Sequence, residues 1–242
     1  MTRDPADRWH ALAAAGTVLL DGFHAVKHAV RFGAELPLAV TADKAATLAL
    51  ARDLAPDTVP ALDTLLTPVA PATLAALVPR PHPTGVAALA VPAPRAPART
   101  APVVVLDNPR HLGNIGAVVR LAAGAGAGGV VTTGTTDPWH PAVLRAAAGL
   151  HWATAVERRA VDALPDGPLY ALDPEGDDLR SVTVADGALL AFGSERAGLS
   201  PEMRARADGL LALPMRPRVS SYNLATSVAM TLYHWMAARR PA

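Results

Sequence analysis

The chain has 242 residues, 51% of them apolar and 18% charged, with a formal net charge of +1 and no cysteine. These values fit one large or two small globular domains and exclude a mostly disordered chain, a disulfide framework and a thiolate zinc site. No apolar run approaches the ~20 residues needed to span a bilayer, and positions 1–7 carry both signs of charge with no signal-peptide core, so a soluble, cytoplasmic protein without metal is expected.

In chain order, the pattern predicts a short strand over 17–20, a helix over 22–32, a strand over 36–41 and a helix over 43–54 capped by Asp43. Helical pieces follow at 61–66 and 72–77, then a strand over 85–91. This is a small α/β domain, assigned to 1–92. Between 91 and 102 proline recurs every second or third residue, which forbids helix and central strand and favours an extended spacer, so a linker is placed at 93–101.

Beyond the linker, the apolar run over 103–106 reads as a buried strand, and a helix over 115–123 ends in glycines. Val130 and Val131 mark the next strand, and 141–148 is helical. Strands are expected at 153–156, 169–172, 188–192 and 210–213, with a short helix over 201–207 and a terminal helix over 223–238. Such alternation predicts a mostly parallel sheet covered on both faces, assigned to 102–242.

Three loops that each follow an apolar strand hold the most informative residues, and ligands of open parallel sheets bind beyond the carboxyl ends of the strands. The competing motifs fail on physical grounds. The glycine run at 124–129 follows a helix and precedes a strand, the reverse of a dinucleotide site, and reads as a helix C-terminal turn. Around Ser194 the glycines fall at 193 and 198, not at the spacing of a hydrolase elbow. His24 and His28 share a helix face, but Ala25 stands where a zincin has glutamate. With Lys27 and Arg31 they form a polar face, either solvated or turned to RNA, while Val26 and Val30 pack inward. Of the 22 basic residues 20 are arginine, concentrated at 80–120 and 203–242, where they can meet a phosphate backbone.

Taken together, the three loops resemble the SpoU, or TrmH, RNA ribose methyltransferases of the SPOUT superfamily. The motif Asn-x-Gly-x-x-x-Arg stands as Asn114, Gly116 and Arg120, and Gly-Ser-Glu-x-x-Gly as Gly193, Ser194, Glu195 and Gly198. The third stands as Pro214, Met215, Ser221 and Asn223, with Tyr222 in place of the family's leucine. The resemblance implies a trefoil-knotted parallel-sheet domain at 102–242 behind a small ribosomal-protein-like α/β domain that binds the RNA substrate. It also implies S-adenosylmethionine as cofactor, an RNA substrate (ribosomal RNA favoured over tRNA), and a homodimer through the terminal helix, whose stripe of Val228, Leu232, Trp235 and Met236 otherwise reads as core.

A ribose hydroxyl is a poor nucleophile at neutral pH, so the transfer needs in-line placement and help in losing a proton. The expected catalytic set is Arg120, Asn114, Glu195, Ser221 and Asn223. A guanidinium stays charged, so Arg120 is read as a phosphate clamp, with a phosphate oxygen or water taking the proton. Asn114 orients Arg120 or the RNA, or is a turn residue. Glu195 positions Arg120 or an RNA hydroxyl, or is a helix N-terminal acid. Ser221 and Asn223 contact the cofactor or Arg120, or cap the terminal helix. Gly193, Leu213, Met215, Ser221, Asn223 and Leu224 are expected to bind the cofactor, and Arg110, Arg120, Lys27 and Arg31 the RNA. The alternative is a non-catalytic RNA-binding or ribosome-assembly protein that keeps the fold.

Overall fold

The computed structural model describes residues 4–239. The first stretch runs through α1 (Pro5–Ala14), β1 (Val18–Asp21), α2 (Phe23–Arg31), β2 (Leu38–Thr41), α3 (Lys44–Leu54), α4 (Val59–Leu65), β3 (Leu66–Pro68), α5 (Pro71–Leu77) and β4 (Val86–Ala90). After the proline-rich stretch come β5 (Val103–Leu106), α6 (Leu112–Ala125), β6 (Gly129–Thr132), α7 (Pro141–Ala146), β7 (Val156–Arg158), β8 (Leu169–Asp178), β9 (Leu189–Phe192), α8 (Pro201–Arg206), β10 (Gly209–Ala212) and α9 (Leu224–Ala238).

The chain divides into two compact units, and the division is not linear in sequence. The first unit ends at Ala93 and also takes Trp139–Ala153; the second holds Pro94–Pro138 and everything from Thr154 onward. The sequence reading had assigned 139–153 to the second domain.

In the first unit the sheet order is β1-β4-β2-β3, with β4 antiparallel to β1 and β2, and β2 parallel to β3. The unforeseen helix α1 starts where Asp4 accepts from the Ala6 amide at 3.1 Å, with Pro5 preorganised for the first turn. It buries Trp9 against Leu38, Val40, Leu74 and Leu89. The polar face of α2 is exposed at His24 and Arg31, and the solvated reading is corrected for Lys27. Lys27 is buried and lies over the Phe23 ring, and Arg31 is held by Asp57 at 2.7 Å. His28 Nδ1 lies 2.8 Å from the Ala148 carbonyl oxygen, and burial pushes its pKa below the ordinary histidine value against that opposing bond.

The inserted segment completes this unit. Arg145 pairs with the buried Asp21 carboxylate, and Trp139 meets Trp152 edge-on at 5.3 Å. Gly149 has φ +72, and a Cβ on it would sit 2.3 Å from the Ala25 carbonyl oxygen. Gly149→Ala is therefore expected to destabilise the first unit by about 1–3 kcal/mol, the usual range for forced overpacking. Three of the four tryptophans, Trp9, Trp139 and Trp152, lie in this unit, so urea unfolding followed by tryptophan fluorescence, with Trp235 of the second unit replaced by phenylalanine, reads it. An unchanged midpoint would show that the contact carries no load.

In the second unit six parallel strands run in the order β10-β8-β9-β5-β6-β7. The central strands β5, β6 and β9 are buried along their length, which is why they read as unbroken apolar runs. Gly126 ends α6 in the left-handed conformation at φ +69, the role expected of that glycine run. The proline-rich stretch is not a free spacer: the Ala98 amide donates to Gly128 O at 2.9 Å, and Arg99 donates to Gly187 O. Strand β8 outlasts its predicted end because a register shift opposite Leu210 and Leu211 re-pairs it after the Asp-Pro-Glu-Gly stretch. The loops after β5, β9 and β10 leave the same edge of this sheet.

Candidate active site

Asp107 closes β5 and is 2% exposed. It accepts from Thr133 Oγ1 at 2.8 Å and from the Ser200 amide at 2.6 Å. Thr133 Oγ1 in turn accepts from the Asn108 amide at 2.9 Å. One buried carboxylate thus fixes the ends of three neighbouring strands' loops. Sequence reasoning passed over it, although an acid directly after an all-apolar strand was a usable signal.

The loop after β9 folds on itself, with Ser194 N donating to Gly198 O at 2.9 Å and Gly198 N to Ser194 O at 3.0 Å. At Gly193 a Cβ would meet the Gly198 carbonyl carbon at 2.2 Å, so backbone lies directly on backbone there. After β10, the Tyr222 hydroxyl donates to Pro214 O at 3.1 Å and staples the two ends of the third loop. The tyrosine that departs from the family's leucine therefore has a structural use.

A continuous hydrogen-bond chain crosses the three loops. Asn223 Nδ2 donates to Asn114 Oδ1 at 3.2 Å, and Asn114 Nδ2 donates to Glu195 Oε1 at 2.8 Å. The Arg110 amide reaches Glu195 Oε2 at 3.4 Å. Asn223 Oδ1 meanwhile caps α9, accepting from Ala225 N at 2.9 Å. Of the two cap candidates it is Asn223 that caps, whereas Ser221 is exposed and makes no hydrogen bond among the described residues. Glu195 lies in its loop, clear of the helix N-terminus that begins at Pro201.

Burial acts to raise the Glu195 pKa, but the bonds from Asn114 and from backbone amides, with His111 nearby, hold it below the ordinary glutamate value. A carboxylate with a depressed folded pKa contributes stability above its unfolded pKa and loses it as pH falls through the folded one. Glu195→Gln is expected to remove that acid-side loss of stability below the ordinary carboxylate range, read as the pH dependence of thermal unfolding. Identical profiles for the two proteins would sink the assignment.

The loops enclose a cavity of about 360 Å³. Phe192, Leu199, Leu213, Met215 and Leu224 supply apolar walls, Gly193 an open backbone, and Glu195, Ser221 and Asn223 a polar end. Flat apolar walls beside exposed loop backbone suit a purine nucleoside whose edge bonds to main chain. Six of the expected cofactor residues and Glu195 are thus brought together, with Asn114 bonded to them. Arg120 is not. Its exposed side chain makes no hydrogen bond or ion pair among the described residues. It lies instead in a groove with Leu121 and Gly124 of α6 and Ala229, Tyr233 and Met236 of α9. Neither Asn114 nor Glu195 orients it within one chain, which corrects that expectation.

The chain belongs to the SpoU rRNA methylase family, whose family model matches residues 101–233. Among characterised relatives, the 23S rRNA (adenosine(1067)-2'-O)-methyltransferase of Streptomyces laurentii is 32% identical over 54% of this chain and 52% of its own length. The 23S rRNA (guanosine(2553)-2'-O)-methyltransferase RlmP of Bacillus subtilis is 29% identical over 57% and 58%. The match thus spans about half the length of these curated relatives. The SpoU methyltransferase AviRb from Streptomyces viridochromogenes, solved in complex with the cofactor AdoMet, superposes with a TM-score of 0.76 at 25% identity, covering 96% of this chain and 97% of that one. The α/β fold with its parallel sheet therefore resembles SpoU methyltransferase structures over nearly the whole chain. Among the described residues no helix is long and apolar enough to cross a membrane.

Proposed function

We propose that the chain methylates a ribose 2′-hydroxyl in structured RNA, ribosomal RNA rather than tRNA, with S-adenosylmethionine as donor, in the cytoplasm. The observation that carries this reading is the Asn114–Glu195–Asn223 chain, which joins all three family motifs beside one apolar-walled cavity. The bound donor would supply a methyl group on a positively charged sulfur. Bound there, it would give that methyl to the hydroxyl oxygen as its own sulfur–carbon bond breaks, and the hydroxyl proton would leave to a phosphate oxygen or water. The protein's part is placement. Main chain at Gly193, Leu213 and Met215 would hold the donor's base, with Ser221 and Asn223 at the polar end of the cavity.

Arg120 clamps the phosphate next to the acceptor ribose. Its place outside the cavity supports a homodimer in which it serves the partner's site. Tyr233, 72% exposed, and Met236 leave an apolar face beside Arg120 that a second copy would cover. The second unit is trefoil-knotted, as the family resemblance implies, and the first unit recognises the RNA. Arg31 and Lys27 are engaged by Asp57 and by burial, so the RNA surface of that unit is proposed without resting on them.

Transfer of labelled methyl from S-adenosylmethionine to total cellular RNA, fractionated by size and mapped for ribose methylation, tests the proposal. Label at one position of ribosomal RNA is the expected result. Cofactor binding without label on any RNA, assembly intermediates included, would favour the non-catalytic RNA-binding reading.

A further inference from the structure

We propose that Arg110, Arg196, Arg216 and Arg218 form a collar of uncompensated guanidiniums around the cavity mouth that grips the phosphates flanking an unpaired RNA nucleotide. The inference deepens the methyl-transfer reading and rests on it.

Arginines of the second unit fall into two groups. Away from the three loops the described ones other than Arg120 are engaged: Arg159, Arg180 and Arg204 in ion pairs, Arg99, Arg158 and Arg206 as donors to backbone carbonyls, and Arg239 on the Trp235 ring. Arg95 has a partner as well. The side chains of Arg110, Arg196, Arg216 and Arg218 are exposed and make no hydrogen bond or ion pair among the described residues. Chain position puts all four on the loops that border the cavity. The Arg110 amide reaches Glu195, the neighbour of Arg196, and Arg216 and Arg218 lie between the lining residues Met215 and Ser220.

The two carboxylates lining the cavity do not neutralise them. Asp173 is ion-paired with Arg204, and Glu195, bonded to the neutral Asn114 amide, keeps a single negative charge against four guanidiniums. Four cations outside any ion pair, against the one carboxylate of Glu195, leave the adjoining loops net positive and raise the local potential for a polyanion, and the guanidinium fork matches phosphate oxygens in pairs. An acceptor ribose presented at this mouth carries a phosphate on each side, so the backbone of an unpaired strand is the occupant whose charges fall where the collar is. Arg218 also holds φ +73, a left-handed conformation that side chains adopt at a cost. Glycine at this position would relax the backbone while removing the cation.

The test titrates the full chain and an Arg196→Ala/Arg216→Ala/Arg218→Gly variant with a short fluorescein-labelled oligouridylate across a salt series. Each lost phosphate contact lowers the slope of log affinity against log salt by about 0.7, so the variant is expected to fall by about 2. Its affinity for S-adenosylmethionine by calorimetry is expected to stay as in the parent. The single Arg218→Gly variant, expected to fold at least as well as the parent, should lose about 0.7 alone. Equal slopes in parent and variants would overturn the collar while leaving RNA methylation intact. A parent chain that takes no RNA would overturn both, and competition by polyglutamate as strong as by RNA would overturn the RNA occupant.

Discussion

Arg120→Ala is expected to slow methyl transfer by about 100- to 1,000-fold, the usual loss when one positioned electrostatic group is removed, with S-adenosylmethionine affinity unchanged. The two halves of that expectation have separate origins. Arg120 is not among the residues lining the cavity and makes no hydrogen bond or ion pair among the described residues, so its removal leaves the donor site standing. Its charge and planar fork are what the proposed reaction uses, gripping the neighbouring phosphate so that the ribose oxygen, which gains negative character as its proton leaves, is held in line. Arg120→Lys keeps the charge and loses the fork, and should recover part of the rate. Single-turnover transfer and cofactor calorimetry on the same preparations measure both. A parallel loss of cofactor affinity would place Arg120 in the donor site and end the clamp role. Mixed dimers of Arg120→Ala chains with cavity-defective chains go further. Recovered activity is expected, because an intact cavity then faces an intact Arg120 on the partner, and its absence would mean that each chain uses its own arginine.

Gly193→Ala is expected to weaken S-adenosylmethionine binding by about 5- to 150-fold. The added methyl would lie 2.2 Å from the Gly198 carbonyl carbon and 2.4 Å from the Leu199 amide nitrogen. Both obstacles are backbone, so no rotamer change can absorb the clash and the 193–199 loop has to move. Overpacking of this kind costs about 1–3 kcal/mol, and when it falls on the loop that walls the cavity it appears as lost affinity at one decade per 1.4 kcal/mol. Gly198→Ala is the contrast. Nothing lies within 4 Å of its Cβ, so only the φ of +68 opposes the change, and a smaller effect is expected. Equal affinities for Gly193→Ala and the parent would show that the loop is not the cofactor wall.

The second unit's layout was legible because its strands are buried on both faces. Val103 to Leu106 and Leu189 to Phe192 could hardly be anything else, and the polar residues that follow them had to sit at a sheet edge. Asn114, Glu195 and Asn223 were found for that reason. Their bonds to one another were not, since side chains 81 and 109 residues apart meet only through the topology. Arg120 shows the opposite failure. It shares a motif with Asn114, but six residues along a helix mean about 9 Å of rise and a turn of roughly 240°, which points the two side chains to different surfaces. Lys27 and Arg31 looked solvated because a helix face has no visible partner in sequence. The burial of Lys27 and the bond from Arg31 to Asp57 depend on which way α2 packs. Helix α1 escaped notice because its apolar content is carried largely by alanine, and Trp9 alone anchors it deeply.

The excursion of Trp139–Ala153 into the first unit also orders events during synthesis. Ribosomes emit chains from the amino end at ~5–20 residues per second. Residues up to Ala93 therefore wait for the segment ending at Ala153, about sixty residues later, before Asp21 receives Arg145 and Ala25 receives Gly149. At those speeds the nascent first unit spends roughly 3–12 s without its closing piece. During that interval part of its apolar surface is open, while the strands β5 and β6 emerge beside it. Cleaving the gene at the proline-rich stretch would make the interval permanent: one fragment would lack a wall, and the other would carry Trp139, Leu144 and Trp152 with nothing to bury them.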